Sequence, residues 1–596
     1  MKLAKRMVTT MAMAAGVLPS LMPYAAVAAA PATPIQHVII IVGENHSFDN
    51  LFGTYQPKNG QKISNLLSKG IVFADGTPGP NFGTAAQNIG VDNNIYHAKT
   101  GNAGSFATLP QPYTTSGIGL PQNVPDTRFP TTLPNGPYQI TKYVPYAAYT
   151  GDPVHRFFQM WQDYDGGKLD KFVWVETSIG TGSNGAPPPS GGFNPKEGAI
   201  SMEFNNMNPY TDANGVAQSG DAAMFKSLAD SYAISDNYHQ AIMGGTGANF
   251  QAIVSGDAAF FTNLDGTVGV PFGNQIENPN PVRGTNNYYT QDGYSGGSYV
   301  NCANTSNPGV ASVMGILKSN HVANANCAPN AYYLVNNYNM YWNQDGSTNT
   351  LGSNKFVLPP QTNPTIADKL TASGISWKYY SGDRGNDATR FAHSVDGIPL
   401  LFHFYCGICD PLAGYTSVMT TSQAANLQGY GAFLDDVAAG TLPAVSFVRP
   451  FEALAGHPAD STSDLYELFI QDLIAKVKAN PTLWANTAII ITTDEGGGYY
   501  DSGFIQPVDF FGDGTRIPLI VVSPWSKQGY VDHTYYDHVS LLKFIEANWG
   551  LSPISARSRD NLPNPVASVH NPYKPVNGAA IGDLMNLFDF THAPHG

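Results

Sequence analysis

The sequence is poor in charged residues and has few long apolar runs. Only 12% of its 596 residues are Asp, Glu, Lys or Arg, about half the share in an average soluble protein. The 30 basic residues are outnumbered by 44 acidic ones, so the formal net charge is −14. This charge argues against a nucleic-acid-binding protein, which needs a basic surface, and against attraction to anionic lipid. Beyond the N-terminus, no run approaches the roughly 20 apolar residues of a membrane-spanning helix.

Apolar and turn-forming residues are abundant instead. Hydrophobic residues make up 42% of the chain and aromatic residues 12%, which is enough for a large core. The 61 Gly and 44 Pro residues indicate many turns and long surface loops. We therefore predict one large α/β domain enlarged by loop insertions, rather than the roughly two to four domains that the length alone suggests.

The first thirty residues have the pattern of a signal peptide. Lys2, Lys5 and Arg6 are followed by an apolar stretch over residues 11–30 that two prolines interrupt, and small residues near its end fit a cleavage site. We predict a signal peptide over residues 1–30 and export of the mature protein to the periplasm or the outside. The alternative is an N-terminal anchor that is never cleaved.

Four cysteines occur, at positions 302, 327, 406 and 409. In an oxidising compartment an even number favours two disulfides, and Cys302–Cys327 with Cys406–Cys409 is the pairing with the shortest loops. Cys406-Gly-Ile-Cys409 is also compatible with a redox or zinc pair. A zinc site needs two further ligands at short spacing, and Cys302 and Cys327 are too widely spaced to form a second pair of that kind, so a structural disulfide is the favoured interpretation.

Short runs rich in Ile and Val predict the strands of a buried sheet. They occupy residues 37–42, 488–492 and 517–523, and weaker runs occupy residues 444–448 and 375–380. Helical periodicity follows over residues 464–479 and 539–549. This alternation predicts an α/β fold with a doubly wound, mostly parallel sheet, in which we expect the three main runs to be parallel strands.

Two stretches do not follow the alternation. Residues 76–136 and 263–353 are rich in Gly, Asn, Pro, Ser and Thr and show little periodicity. We interpret them as loop insertions in one catalytic domain over residues 31–596. The alternative is that one of them forms a small independent β domain.

Acidic residues follow two of the predicted strands directly. Glu44 and Asn45 come after the first strand, and Asp494 and Glu495 come after the strand at residues 488–492. In a doubly wound sheet the carboxyl ends of the strands meet at the ligand-binding edge, so these groups should lie together. Hard oxygen ligands of this kind suit Ca²⁺, Mg²⁺ or Mn²⁺. The alternative is that each pair caps the N-terminus of a helix.

A glycine-rich turn at residues 243–250 is a third candidate. Such a turn before a helix exposes backbone N–H groups that hold an anion, and it would display the hydroxyl of Thr246 there. Thr246 is then a potential nucleophile, although an ordinary tight turn explains the same residues. Histidines at positions 155, 239, 403 and 457 lie in segments typical of loops, and none is convincing alone.

Taken together, these segments resemble the bacterial phosphoesterase family of secreted acid phosphatases and phospholipases C, within the alkaline-phosphatase-like superfamily. The resemblance rests on segments in the family's order that include IQHVIIIVGENHSFDNLFGTY, GDPVHRFFQMWQDYDGG, ISDNYHQAIMGGTGANFQAIVSG, HPADSTSD, NPTLWANTAIIITTDEGGGYYD and GTRIPLIVVSPWSKQGY. They extend over nearly the whole mature chain, and the combination of ENxSFDxxFG with a later DExGG is specific.

The resemblance implies a role for each matching residue. It implies one divalent metal ion bound by Glu44, Asn45, Asp494 and Glu495, and a nucleophile at Thr246 that also contacts the metal. By the same resemblance Asn249 holds a phosphate oxygen, His155 and His457 line the phosphate pocket with His457 the first candidate for an acid, and His403 binds substrate. The sequence departs from the family pattern at Phe250, Phe404 and Gly496, which concerns the phosphate contacts more than the metal.

The predicted function is a secreted, metal-dependent acid phosphatase of broad specificity that acts on phosphate esters through a phosphothreonine. A phospholipase C is the alternative, with a membrane only as a source of lipid substrate. Residues 581–590 resemble the family's closing segment, and the sequence shows no basic amphipathic helix, which favours the phosphatase. Trp161, Trp174 and Tyr500 could still build a choline cage. A non-enzymatic carbohydrate-binding or adhesive protein is the third hypothesis.

Overall fold

The computed structural model describes residues 30–92, 94–114, 121, 124–178, 198–282, 285–286, 296–592 and 594. The predicted signal peptide at residues 1–30 lies outside the described residues except for its last position. Among the described helices, none combines the length and the apolar character needed to cross a membrane.

A central sheet of eight strands organises the fold. Its strands are β1 (His37–Gly43), β2 (Ala233–Ser235), β3 (Trp377–Ser381), β4 (Leu427–Gly429), β5 (Val445–Arg449), β6 (Thr487–Thr493), β7 (Leu519–Val522) and β8 (Tyr530–Asp532). They lie in the order β4-β3-β5-β1-β6-β7-β2-β8. Strand β7 runs antiparallel to both its neighbours, and the other seven strands share one direction. The predicted α/β class with a mostly parallel sheet is confirmed.

The five predicted strands all exist, but the prediction that residues 517–523 form a parallel strand is wrong. Parallel neighbours need a crossover connection, usually a helix. The segment between β6 and β7 contains no helix, so the chain turns back and pairs antiparallel. Strands β2, β4 and β8 were not predicted, because three residues are too few to show a period.

Thirteen α-helices lie among the described residues. They are α1 (Phe48–Phe52), α2 (Phe157–Tyr164), α3 (Phe172–Ser178), α4 (Ala223–Ser231), α5 (Thr246–Ser255), α6 (Val310–Ser319), α7 (Ile366–Ala372), α8 (Asp387–Arg390), α9 (Thr416–Met419), α10 (Tyr430–Ala439), α11 (Ser463–Lys478), α12 (Pro481–Trp484) and α13 (Val539–Trp549). The helices predicted over residues 464–479 and 539–549 are confirmed as α11 and α13.

Helices cover both faces of the sheet. Alternate side chains of a strand point to opposite faces, and in β1 Val38 and Ile40 join one apolar core while Ile39 and Ile41 join another. The first core includes side chains of α5, α7 and α13, and the second includes side chains of α4, α10 and α11. Because both faces of β1 are buried, its sequence is a nearly continuous run of apolar residues.

The two stretches predicted as insertions carry some regular structure. Short strand pairs in and near them are Asn88–Val91 with Gly101–Ser105, Tyr138–Gln139 with Glu203–Phe204, Tyr210–Thr211 with Ala217–Gln218, and Tyr299–Val300 with Tyr333–Leu334. Two further pairs are Tyr238–His239 with Tyr536–Asp537, and Ser394–Val395 with Ile398–Pro399. Helix α6 was not predicted. Residues of both stretches share one apolar core with α2 and α3.

Both disulfides join the cysteines of the favoured pairing. Cys302 is bonded to Cys327 and Cys406 to Cys409, and none of the four cysteines is free. The prediction of two disulfides with the shortest loops is therefore confirmed.

A buried ion network connects the loops after β1 and β6 to the segment just before β7. The guanidinium of Arg516 donates from Nε to Asp501 Oδ2 at 2.8 Å and from Nη2 to Asp49 Oδ2 at 3.3 Å. Its Nη1 donates to the backbone oxygens of Ser64 and Asp236 at 2.6 and 2.8 Å. All three charged side chains are at most 1% exposed, so the two carboxylates depend on the charge of Arg516, with Lys69 as a further nearby cation.

We expect Arg516→Leu to lower the free energy of unfolding by about 3–5 kcal/mol, because it leaves two buried carboxylates without their cation. Arg390→Leu is the matched control, since Arg390 pairs with Asp435 at the surface, where loss costs about 1 kcal/mol or less. Urea denaturation followed by circular dichroism measures both. Equal losses in the two variants would contradict the network's importance.

Candidate active site

The acidic residues predicted to meet do meet, at the carboxyl ends of the neighbouring strands β1 and β6. Gly43 pairs with Thr493, and the next residues are joined by hydrogen bonds from Asp494 N to Gly43 O and from Asn45 N to Asp494 Oδ1, at 3.0 and 3.2 Å. The N–H of His46 donates to Glu495 O at 3.1 Å. These bonds hold Glu44 and Asn45 beside Asp494 and Glu495.

Asn45 adopts a left-handed backbone conformation that a glycine makes possible. Its φ is +60°, and it lies against Gly497, where a Cβ atom would come within 2.6 Å of Asn45 Cβ. Gly497 itself has a φ of +58°. The glycine run after Asp494-Glu495 is thus required for the close approach of the two strand ends.

Thr246 is the first residue of helix α5, and its hydroxyl faces the acidic residues. Thr246 Oγ1 donates to Glu495 Oε1 at 3.3 Å. The turn before it is tight, because a Cβ on Gly244 would lie 1.8 Å from the backbone oxygen of Val335. The N–H of Gly247 donates to Asn337 Oδ1 at 2.6 Å, which fixes the start of the helix. The structure therefore brings Thr246 to the four predicted metal ligands.

Asn249 holds the turn before Thr246. Its Nδ2 donates to the backbone oxygens of Gly244 and Ile242 at 2.9 and 3.1 Å, and its Oδ1 accepts from Ile242 N at 3.0 Å. The side chain is fully buried. The amide is thus engaged with the backbone, and its assignment to a phosphate oxygen remains a prediction without support from the geometry.

The buried oxygens of this site fit a cation. Within the part of the chain that the structure describes, Asn45 Oδ1 and Asp494 Oδ2 are buried without a hydrogen-bond partner of ordinary geometry, and the Thr246 hydroxyl is close enough to Asp494 to lower its pKa. Burial raises the pKa of Glu44 to about 8 and that of Asp494 to about 6, because water no longer solvates their charges. A hard divalent cation stabilises oxygen atoms of this kind, which are buried, carry full or partial negative charge and have no hydrogen-bond partner of ordinary geometry.

Arg449 is a charged group of the site that the sequence analysis did not assign. Its Nη2 donates to Glu44 Oε1 and to Glu452 Oε2, the latter at 2.5 Å, and the side chain is 1% exposed. Arg449 ends strand β5, beside β1, so the rule that found Glu44 would also have found it. The guanidinium occupies one oxygen of Glu44 and leaves Oε2 facing His457 at 3.6 Å.

The two predicted catalytic histidines both lie at this junction. His457 Nε2 lies 3.1 Å from Asn45 Nδ2, and its Nδ1 lies 2.7 Å from the backbone oxygen of Pro458. Burial lowers the pKa of His457, but the carboxylates of Asp152 and Glu44 outweigh burial and raise it to about 10. His155 Nε2 lies 3.4 Å from Glu495 Oε1.

Asp152 is a second residue that the sequence analysis missed. Its Oδ1 accepts from Asn45 Nδ2 at 3.1 Å, and its Oδ2 lies 4.0 Å from His457 Nε2. By holding the amide nitrogen of Asn45, it leaves Asn45 Oδ1 for the cation. The only sequence signal was its place in Gly151-Asp152-Pro153, three residues before His155.

A cavity of about 430 Å³ opens over the site and combines polar and apolar lining residues. The polar residues are Glu44, Asp152, Thr246, Asn337, Glu452, His457 and Asp460, and the others are Phe402, Phe404, Cys406 and Ile408. His403 does not line it: His403 Nδ1 lies 2.5 Å from Asp383 Oδ1, and its two neighbours face the cavity instead. Its assignment to substrate binding stays a prediction.

The aromatic residues proposed for a choline cage lie elsewhere. Trp161, Trp174 and Tyr500 are 0%, 7% and 6% exposed and are not among the residues that line the cavity. They pack in the apolar core because α2, α3 and the loop after β6 bury them. The aromatic side chains that do face the cavity are Phe402 and Phe404.

Comparison of the sequence with known proteins identifies a family to which the chain is similar. A model of the "Phosphoesterase family" matches residues 35–552. A non-hemolytic phospholipase C of Burkholderia pseudomallei is 29% identical over 45% of this chain and 41% of its own length. Phospholipase C B of Mycobacterium tuberculosis is 22% identical over 94% of this chain and 79% of its own. A probable acid phosphatase of Kluyveromyces lactis is 28% identical over 37% and 50%, so the match covers half or less of two of these three relatives.

Among solved structures, a protein in the alkaline phosphatase superfamily from Vibrio parahaemolyticus aligns with 57% of this chain and 63% of its own. Its sequence is 11% identical and the TM-score is 0.25, which is too low to support an argument.

The geometry of Asn249 leads to a distinguishing prediction. We expect Asn249→Ala to lower the free energy of unfolding by about 2 kcal/mol or more, since buried backbone groups of the turn lose their partners. Activity should fall with it, because the turn positions Thr246. Thermal unfolding and inhibition by inorganic phosphate measure the two roles separately. Unchanged stability with weaker phosphate inhibition would support the phosphate-binding assignment instead.

Proposed function

Since the chain belongs to the phosphoesterase family, we propose that it hydrolyses phosphate monoesters as a metal-dependent acid phosphatase of broad specificity. The observation that carries this proposal is the position of Thr246. Its hydroxyl stands at the N-terminus of a buried helix, on the floor of an open cavity, and donates to a carboxylate of the acidic junction. A nucleophile, an acceptor for its proton and a cation site are thus adjacent.

The chemistry divides among the residues as follows. Thr246 Oγ1 attacks phosphorus, its proton has an acceptor 3.3 Å away in Glu495 Oε1, and the bond from phosphorus to the leaving oxygen breaks. A phosphothreonine results, and water then attacks it, which releases phosphate and restores the hydroxyl. Glu44, Asn45, Asp494 and Glu495 would hold a divalent cation, with Mg²⁺, Mn²⁺ or Ca²⁺ as the ions that suit these oxygens. Such a cation would supply positive charge against the phosphoryl group and would lower the pKa of the Thr246 hydroxyl.

His457 fits the role of a charged donor. Because its pKa is raised to about 10, the imidazole of His457 is positively charged, with both ring nitrogens protonated, at neutral pH. It lines the cavity beside Glu44. From there it can donate to a phosphoryl oxygen or to the leaving oxygen. Asp152 holds His457 in its charged form and orients Asn45, so its effect on the reaction is indirect.

Export is also proposed. Two disulfides are typical of proteins that leave the reducing cytoplasm, and both formed bonds support this. The N-terminal pattern of the sequence agrees.

A second candidate activity is a phosphodiesterase that acts on choline-type phosphate esters. It is favoured by the apolar part of the lining, where Phe404 is 57% exposed and faces the cavity that Glu452 and Asp460 also line. Aromatic faces with nearby carboxylates bind quaternary ammonium groups. The relatives named phospholipase C agree with this alternative.

We expect p-nitrophenyl phosphate to be hydrolysed with a higher kcat/KM than p-nitrophenylphosphorylcholine. A choline subsite predicts the reverse order, and it also predicts that Phe404→Ala raises KM for the choline ester alone. Leu401→Ala is the matched control, because Leu401 is a similarly exposed neighbour that does not line the cavity. Equal effects of both variants on both substrates would argue against the subsite.

The assignment of the nucleophile is tested by removing one atom, Thr246 Oγ1. We expect Thr246→Ser to retain part of the activity, and Thr246→Val to lose at least about 10³-fold in kcat, because a methyl group cannot attack phosphorus. Acid quenching should trap phosphate on the peptide that contains Thr246 in the parent protein. Thr416→Val, at the first position of helix α9, is the control. Parent-level turnover in Thr246→Val would mean that another group attacks.

The cation site makes a prediction about metal content. Asp494→Asn should lower the bound Mn²⁺ or Mg²⁺ of the purified protein, and chelation should abolish activity. Because the pKa values of Asp494 and Glu44 are raised, protons compete with the cation, and its affinity should fall as the pH drops through about 8 and then 6. Calorimetric titration with Mn²⁺ measures this. A pH-independent affinity would contradict these residues as ligands.

A further inference from the structure

The Cys406–Cys409 disulfide lies in the wall of the active-site cavity, against carboxylates. Cys406 lines the cavity, and Cys409 Sγ lies 3.3 Å from Glu44 Oε1. Ligand atoms of Glu44, Cys406, Cys409 and Glu452 all lie within 4.8 Å of one another, and all four residues are buried. In the sequence, Cys302 and Cys327 are too widely spaced to serve as the two further ligands. The fold supplies them from Glu44, 365 residues before Cys409, and from Glu452.

We propose that reduction of Cys406–Cys409 turns this wall into a binding site for one thiophilic divalent cation, such as Zn²⁺ or Cd²⁺. The ligands are the two sulfurs with one oxygen each from Glu44 and Glu452. Two thiolates and two carboxylates form a set that zinc accepts, with ligand atoms roughly 3–4 Å apart around a tetrahedral ion. The carboxylate oxygens and the sulfurs therefore need to approach one another only slightly, and the two sulfurs move apart once their bond is broken.

The charges and electrons of this conversion balance. An external dithiol is oxidised to its disulfide, and the Cys406–Cys409 bond breaks as it takes up two electrons and two protons. On binding, each thiol releases its proton to water, so two sulfur charges offset those of the cation. Arg449, which donates to both Glu44 and Glu452, continues to offset the carboxylates. The local charge is thus the same before and after the ion binds.

Occupation of this site would inhibit the enzyme. Glu44 is a ligand of the proposed catalytic cation, and the new ion would hold one of its oxygens toward the two sulfurs. This consequence rests on the proposed function, whereas the binding itself does not. Thiophilic metals should therefore inhibit the reduced protein and spare the oxidised one. Chelation, reoxidation and re-addition of Mg²⁺ or Mn²⁺ should restore activity.

The test is a Cd²⁺ titration of the full chain before and after reduction, followed by thiolate-to-cadmium absorption in the ultraviolet. We expect reduction to add one Cd²⁺ per chain with this absorption. The double variant Cys406→Ser with Cys409→Ser should lose it, although it keeps Cys302 and Cys327. Glu452→Gln should weaken the affinity by about tenfold or more. Asp460→Asn, a cavity carboxylate outside the set, should leave the affinity unchanged.

Circular dichroism of the reduced protein verifies that it stays folded. Glu452→Gln keeps both cysteines, so it tests the carboxylate ligand without removing the thiols. Equal Cd²⁺ binding by the oxidised and reduced forms would overturn the proposal, as would parent affinity in Glu452→Gln. A protein that binds Cd²⁺ in this way but hydrolyses no phosphate ester would support the metal site while overturning the proposed function.

Discussion

The rest of the site depends on one constraint: several carboxylates are buried away from water where β1 and β6 end side by side, and burying their charges costs free energy. Glu44, Asp494 and Glu495 are at most 2% exposed, and they lie close together because two neighbouring strands end there. Unpaired, such charges would destabilise the fold. Arg449 and His457 offset part of this charge, and the oxygens that remain unpaired suit a cation. Structural stability and the proposed chemistry therefore depend on the same electrostatic balance.

The proposed nucleophile, Thr246, is placed by backbone geometry. Gly244 permits a close approach to Val335, and Asn249 bonds backbone groups of the turn, so that Thr246 begins a helix with its hydroxyl toward Glu495. The buried network of Arg516 with Asp49 and Asp501 stabilises the loops that carry the acidic residues. Support of this kind is the preorganisation that an active site needs.

The cavity combines two surfaces of different chemistry. Its carboxylates suit the proposed cation, while Phe402, Phe404 and Ile408 offer apolar contacts for the proposed leaving group. The disulfide between Cys406 and Cys409 closes the loop that carries Ile408. The same short loop brings two sulfurs beside Glu44, so the proposed redox change would act on the lining of the cavity.

The sequence by itself determined the class of the fold, the five main strands and the meeting of Glu44, Asn45, Asp494 and Glu495. These follow from local patterns, since apolar runs form buried strands and parallel strands end at one edge. Only the tertiary structure decided the antiparallel direction of β7, the pairing of Arg449 with Glu44 and Glu452, and the contact of Asp152 with Asn45. It also turned Asn249 toward the backbone and His403 away from the cavity. Such contacts join residues up to hundreds of positions apart, and side-chain packing, which no local pattern encodes, selects them.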